Sequence, residues 1–278
     1  MSDESQTRVV VLPPIPPESQ AFALARYSRS ADSIEKSLSW VVDHSEEKFW
    51  QTFYFDYNHA SIADLGHVAI CFEGISEYAA QHLMDEQLWD GQAKSTRYQD
   101  FSKGGYHVPS SAGQDYHEMI SRQMAFYNKF TDLVVAKLKG ENPKPEEMTE
   151  ATYNRNMQAR AFDISRYTLP LAIQTCLGQV VSIRTLERQA NKFLGSDKEE
   201  LRVLGQQIAD AVAVVPHIES EGGEEFPDNK VMKMTEPLAP TLAKHVKPAT
   251  FGNDWVEKID RFFAGMRDTR ANSLIEKL

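Results

Sequence analysis

Helix-period patterning runs almost unbroken from residue 114 to residue 215, and it leaves little of the chain for strands. After a loop rich in Gly, Ser and Pro (Ser102 to Gly113), Ile120, Met124, Tyr127, Leu133 and Val134 recur at helical spacing until near Gly140. Pro170 separates two further expected helices, Tyr153 to Tyr167 and Leu171 to Leu194, with Gly195 as the stop. Glu199 to Val215 is another, ended by Pro216. Upstream, Glu18 to Arg26 has helix-forming composition, and Ser33 is placed to cap a helix whose apolar residues Ile34, Leu38, Val41 and Val42 share a face. Two runs read as strands. Arg8 to Leu12 is β-branched and closed by prolines, as an edge strand would be, and in His67 to Gly74 the residues Val68, Ile70 and Phe72 alternate with other types. Ser76 then opens a helix. Few strands among many helices, without strict alternation, predict an α+β class.

A chain of 278 residues can bury a sizeable core without disulfides or a structural metal. The net charge of -10 argues against a general basic footprint for nucleic acid or anionic membrane, so an anionic ligand has to be met by a few placed arginines. The two cysteines, Cys71 and Cys176, lie in apolar runs and read as buried free thiols of a reducing compartment. The first residues lack a basic region followed by a long apolar stretch, and the expectation is a cytoplasmic protein with no membrane span. Residues 222–248 have the composition of an exposed connector, and Trp255 to Leu278 reads as helix again.

Four segments invite a chemical reading, each beside a structural one. The aromatic block Phe49 to Tyr57 has core spacing, with base stacking as the other use. In His59 to His67, Ser61 and Asp64 are spaced like a capping box, and the histidines are structural or cofactor-contacting; no metal site is expected. From Gln92 to Arg97 the polar run holds Lys94, Ser95 and Arg97 within four residues, a combination suited to holding a phosphate, although composition alone favours a solvated loop. In the last segment Arg166 precedes Leu169-Pro170, while Arg184 and Arg188 stand four apart on an apolar helix. Such arginines need an anion, either a ligand or an acid such as Asp163 or Glu187.

In this order the segments resemble the flavin-dependent thymidylate synthase family from about Ala23 to Ala213. His59-Ala60-Ser61 is similar to the family's His-x-Ser/Thr element, and Asp64 to its downstream acid. The family signature RHRxxSxNExSxR falls on Asp85 to Arg97. Its final Ser-x-Arg matches Ser95 and Arg97, but its Arg-His-Arg is replaced by Asp85-Glu86-Gln87, its Asn by Gln92 and its Glu by Ala93. Arg166 matches the Arg before Leu-Pro, Ser182-Ile183-Arg184 the Asn-x-Arg, Arg188 the next Asn, and Glu200-Leu201-Arg202 the closing Glu-Ile-Arg.

The resemblance implies a helix-rich α+β fold with a central mixed or antiparallel sheet flanked by long helices, one domain over residues 1–220, and a connector and C-terminal helix over 221–278. It implies a homo-oligomer, a tetramer by preference, with shared active sites. FAD would be held by His59, Ser61, Gln92, Arg184 and Arg188. A uracil nucleotide such as dUMP would be held by Lys94, Ser95, Arg97 and Arg166, the two arginines also polarising the pyrimidine. NADPH and methylenetetrahydrofolate would be cosubstrates for one-carbon transfer to C5. Replacing Arg-His-Arg by Asp-Glu-Gln shifts the local charge from about +2 to about -2. Either nearby cations rebuild the pocket, or the new carboxylates pair with some of those cations, or the ligand has changed; the alternative functions are a catalytically silent homologue serving as a structural or regulatory subunit, or a flavoenzyme modifying another pyrimidine.

Overall fold

The computed structural model describes residues 8–44, 46–57, 59–217 and 235–249. It opens with two helices, α1 (Pro17–Tyr27) and α2 (Ile34–Val42), the second capped by Ser33, whose hydroxyl accepts from the Lys36 amide. A short helix α3 (Glu46–Phe49) runs into a π-helical segment (Trp50–Asp56) that winds the aromatic block inward. Trp50 is buried, Phe49 stacks on Phe22 with ring centroids 3.9 Å apart, and Phe53, Tyr54 and Phe55 pack against the core, while Tyr57 at the end of the block is exposed.

A three-stranded antiparallel sheet follows, in the order β1, β3, β2, formed by β1 (His67–Ser76), β2 (Asp90–Ala93) and β3 (Gln174–Ser182). Strand β3 is central, although its sequence reads as part of a helix from Leu171 to Leu194. Burial alternates along it: Thr175, Leu177, Gln179 and Val181 face inward, while Cys176 and Val180 face out. Period-two burial between two partners outweighs the helical spacing of the same apolar residues. Only Ile183–Leu194 of that stretch is helical, as α7. The β1–β3 register shifts between Glu73 and Ile75, where Gly74 takes φ 67°, a left-handed conformation that glycine adopts without a Cβ clash.

The same alternation exposes both cysteines. Cys71, opposite Gly178, and Cys176, opposite Glu73, lie on the sheet face turned away from the core, so apolar neighbours in sequence do not bury them. Arg8 to Leu12 is not a strand. Val9 and Val11 are exposed, because β-branched composition supplies no partner for a backbone that lies beyond the sheet.

Helix α4 (Glu77–Met84) starts at Ser76, whose hydroxyl accepts from the Ala79 amide. The carboxylate of Glu200 takes both the Ser76 amide (2.8 Å) and its hydroxyl (2.6 Å), pinning the start of α8 (Glu199–Ala213) to the start of α4. The long α5 (Gln114–Glu141) pairs with α6 (Glu150–Ser165) around a separate cluster of Leu138, Tyr153, Met157 and Ala161. Leu133, placed by spacing on the apolar face of α5, is 59% exposed.

Residues 235–249, part of the expected connector, are docked rather than exposed. Ala239 and Leu242 enter the main core around α9 (Pro240–His245), and the buried Glu18 carboxylate accepts from the Thr241 and Leu242 amides at 3.0 Å. An anion at a helix start compensates the unpaired amides there, which composition alone does not reveal. The expected helix Trp255 to Leu278 lies outside the described residues.

Candidate active site

Helix α7 organises the site. Ser182 caps it by accepting from the Thr185 amide, and Ile183, Leu186, Gln189, Ala190 and Phe193 bury one face. The opposite face then presents Arg184, Arg188 and Lys192, four residues apart and therefore in one line. Each meets acid from an earlier element. Arg184 Nη1 lies 2.9 Å from Asp64 Oδ2. Arg188 Nη2 pairs with Glu86 Oε2, and Lys192 Nζ lies 3.7 Å from Asp85 and 3.9 Å from Glu86. The Glu86 side chain is 3% exposed, so its charge is held by these two cations with little help from water. Beside them, burial and then the charge of Lys192 hold the His82 imidazole below its ordinary value, with Asp85 acting in the opposite sense.

The turn before β1 joins this stripe. His59 and Ser61 are exposed on a 3-10 turn (Ala60–Ile62), and the Arg184 amide donates to the Ala63 carbonyl at 3.4 Å. The expected Ser61–Asp64 capping box does not form. The His59 position makes no side-chain cap, and Asp64 instead accepts from Ser182 Oγ and Arg184, because two donors on α7 hold it better than one backbone amide. Nearby, Glu187 accepts from the Tyr54 hydroxyl. Burial first and that hydrogen bond second push the phenol well above its usual range.

A second group sits at the end of α6. Arg97 Nε and Arg166 Nε approach the same oxygen, Asp163 Oδ1, at 3.1 and 3.3 Å. Arg166 also donates to the Tyr167 hydroxyl at 3.0 Å and lies over that ring, and its Nε is buried beside the carboxylate without a hydrogen bond. Asp163 itself is half exposed, with 51% of its side chain open to solvent. Ser95 shapes the turn that carries Arg97: its hydroxyl accepts from the Arg97 amide, and its carbonyl accepts from the Tyr98 and Gln99 amides.

The structure thus brings Arg97 to Arg166, and the His59–Asp64 turn to Arg184. It does not bring Lys94 and Gln92 into either group. The Lys94 ammonium lies 4.9 Å from the Phe101 ring centre, and Gln92 is an exposed residue of β2 opposite Gly178. A cavity of about 550 Å³ opens elsewhere, between Ser76, Tyr78, His107, Tyr116, Lys198 and Arg202, and none of the expected site residues lines it. Among the described residues, no group of three or more His, Cys, Asp or Glu is placed to hold a metal ion.

Sequence reading missed the polar relay that fixes the stripe to the sheet. Trp89 Nε1 donates to Gln179 Oε1 (2.7 Å), Gln179 Nε2 to Gln189 Oε1 (2.8 Å), and Gln189 Nε2 to the Leu83 carbonyl (3.0 Å). Both glutamines are almost fully buried, and their amides inside apolar runs were the available signal.

A family model described as thymidylate synthase complementing protein matches residues 13–217, and the chain belongs to that family. A curated relative, a UPF0159 protein of Chlamydia pneumoniae, is 26% identical over 180 residues, covering 60% of this chain and 34% of the relative. The chain therefore spans about a third of that relative's length. Among solved structures, it is similar to the flavin dependent thymidylate synthase of Helicobacter pylori complexed with FAD and dUMP, at 15% identity and a TM-score of 0.41, over 71% of this chain and 89% of that one. It is also similar to the UMP/dUMP methylase PolB of Streptomyces cacaoi bound with 5-Br dUMP, at 14% identity and a TM-score of 0.43, over 70% and 85%.

Proposed function

We propose that this chain is an FAD-dependent, thymidylate synthase-like enzyme that binds dUMP or a related uracil nucleotide and acts at its C5. The observation that carries this is the convergence of Arg97 and Arg166, from two separate elements, on one oxygen of a half-exposed carboxylate. Two guanidiniums with spare donors around a solvent-accessible anion make a seat where a nucleotide phosphate can replace Asp163 as the shared partner. Ser95 supports it by holding the turn that aims Arg97. Arg97 and Arg166 then fix the nucleotide and polarise the pyrimidine ring.

For FAD the residues fit in part. Arg184 is half exposed and uses one amino group on Asp64, so its remaining donors are open to a pyrophosphate, with His59 and Ser61 on the adjoining turn. Arg188, also about half exposed, gives one amino group to the buried Glu86 carboxylate, so a flavin phosphate there would share its guanidinium with that acid. When bound, FAD supplies the redox chemistry, with NADPH and methylenetetrahydrofolate as reductant and carbon donor in this reading. Lys94 and Gln92 are left without a role at the nucleotide and flavin. We further place the protein in the cytoplasm as a homo-oligomer; no helix among the described residues is long and apolar enough to cross a membrane.

A second reading has its own observation. Arg188 and Lys192 are neutralised by Glu86 and Asp85, the residues standing where the family signature has Arg-His, which suits a catalytically silent homologue. Titrating purified protein with FAD and following flavin absorbance and fluorescence separates the two. Uptake of FAD with dUMP-dependent reoxidation of the reduced flavin supports the enzyme; no uptake removes the cofactor and with it the enzyme reading.

A further inference from the structure

Both cysteines face the open side of the sheet, and the strand register sets them beside one another. Cys71 of β1 is opposite Gly178 of β3, and Cys176, two residues before Gly178 on the same strand, is opposite Glu73. Residues paired in this way share a face, so the two exposed thiols are diagonal neighbours on adjacent strands. Between them the central strand carries no side chain. Among the described residues, a Cβ at Gly178 would have one atom within 4 Å beyond its own chain neighbours, the Cys71 Sγ at 3.4 Å. The Cys71 thiol therefore reaches across to the space over Gly178. Gln92, exposed on β2 opposite Gly178, bounds that space on the other side.

The spacing decides what such a pair can do. Diagonal neighbours in a sheet stand about 7–8 Å apart at Cα, whereas disulfides close at Cα separations of about 4.4–6.8 Å. Both cysteines are accordingly free thiols. Two bonds to one shared ion, each about 2.3 Å by the standard of zinc thiolates, span what a single S–S bond of about 2 Å does not. The donor count then selects the ion. Zinc closes a tetrahedron of four ligands, but among the described residues no group of three or more His, Cys, Asp or Glu is placed to hold a metal. Copper(I) is soft, prefers thiolate sulfur, and is satisfied by two such donors in line.

We propose that Cys71 and Cys176 form a two-thiolate copper(I) site on the outer face of the sheet, over Gly178. Binding forms two S–Cu bonds and releases the two S–H protons to solvent, with no change in the oxidation state of copper or sulfur. Affinity therefore falls as the pH is lowered. The bound ion ties β1 to β3. The site uses none of the residues assigned to the nucleotide or the flavin, so it stands or falls apart from that reading.

Anaerobic titration of the fully reduced full chain with copper(I) bicinchoninate tests it, the chelator's colour reporting the copper it gives up. One copper(I) per chain is expected to transfer, and to raise the thermal midpoint of the wild-type chain. Cys71→Ser and Cys176→Ser are each expected to lose at least about a hundredfold in affinity, because one thiolate alone holds copper poorly. Gly178→Val keeps both thiols but fills the space between them. It is expected to bind roughly tenfold more weakly while both thiols still react with a chromogenic disulfide reagent. Two coppers per chain, each lost with one cysteine, would show independent thiols, and one copper per two chains would show a bridge between copies. Either result, no transfer at all, or a serine variant that binds as the wild type does overturns the shared site. A mild oxidant that closes a Cys71–Cys176 disulfide within one chain would contradict the spacing on which it rests.

Discussion

Glu86 is the residue on which the divergence of this chain turns. A carboxylate that is almost fully buried between Arg188 and Lys192 is tolerable only while both cations stay. Glu86→Gln is expected to lower stability by about 1–2 kcal/mol in urea unfolding, the modest figure reflecting that Arg188 is about half exposed. The substitution was legible as a charge reversal, and pairing with nearby cations was one of its open outcomes; which cations did so depended on the α4–α7 packing. His82 gives the pH counterpart. Its value is lowered in the folded protein, so below the ordinary value of 6.5 the unfolded chain binds more protons than the folded one. The contribution is therefore intact above about pH 6.5 and is lost progressively as the pH falls from there through the lower folded value. Replacing it by His82→Gln is expected to flatten the fall in thermal midpoint between neutral and mildly acidic pH; an unchanged profile would deny His82 that part.

Among the elements, the central strand shows where sequence reading stopped. Gln174–Ser182 carries apolar residues that suit either period, and only two flanking partners, β1 from far upstream and the four-residue β2, select the strand. Helices α1, α2, α4, α5 and α8 and strand β1 were readable because caps, breakers and one-sided burial agree within each segment. The glutamine relay depends on that central strand. Gln179→Leu or Gln189→Leu alone leaves a buried partner unsatisfied, an expected loss of about 1–3 kcal/mol. The double change is expected to be clearly less than additive in a double-mutant cycle; full additivity would show that the pair is not coupled.

Across the whole molecule, the arginines expected at the nucleotide and the flavin fall into two ion-pair groups, Arg97 and Arg166 on Asp163, and Arg184 and Arg188 on Asp64 and Glu86, the second joined by Lys192, which was not among the expected residues. Their order along the chain was legible from the family motifs. Their division was not, because Asp163 and Arg166 stand at the end of α6, ahead of β3, while Arg184 and Arg188 lie on α7, which follows it. The phosphate seat is the decisive element of this picture. Calorimetric titration of the full chain with dUMP and with deoxyuridine, repeated on Arg166→Ala, isolates it. The expected result is that dUMP binds, that deoxyuridine binds far more weakly, and that Arg166→Ala loses roughly ten- to hundredfold in dUMP affinity while its deoxyuridine affinity barely moves. Equal affinity for the two ligands, or an Arg166→Ala chain that binds dUMP as the wild type does, would contradict it.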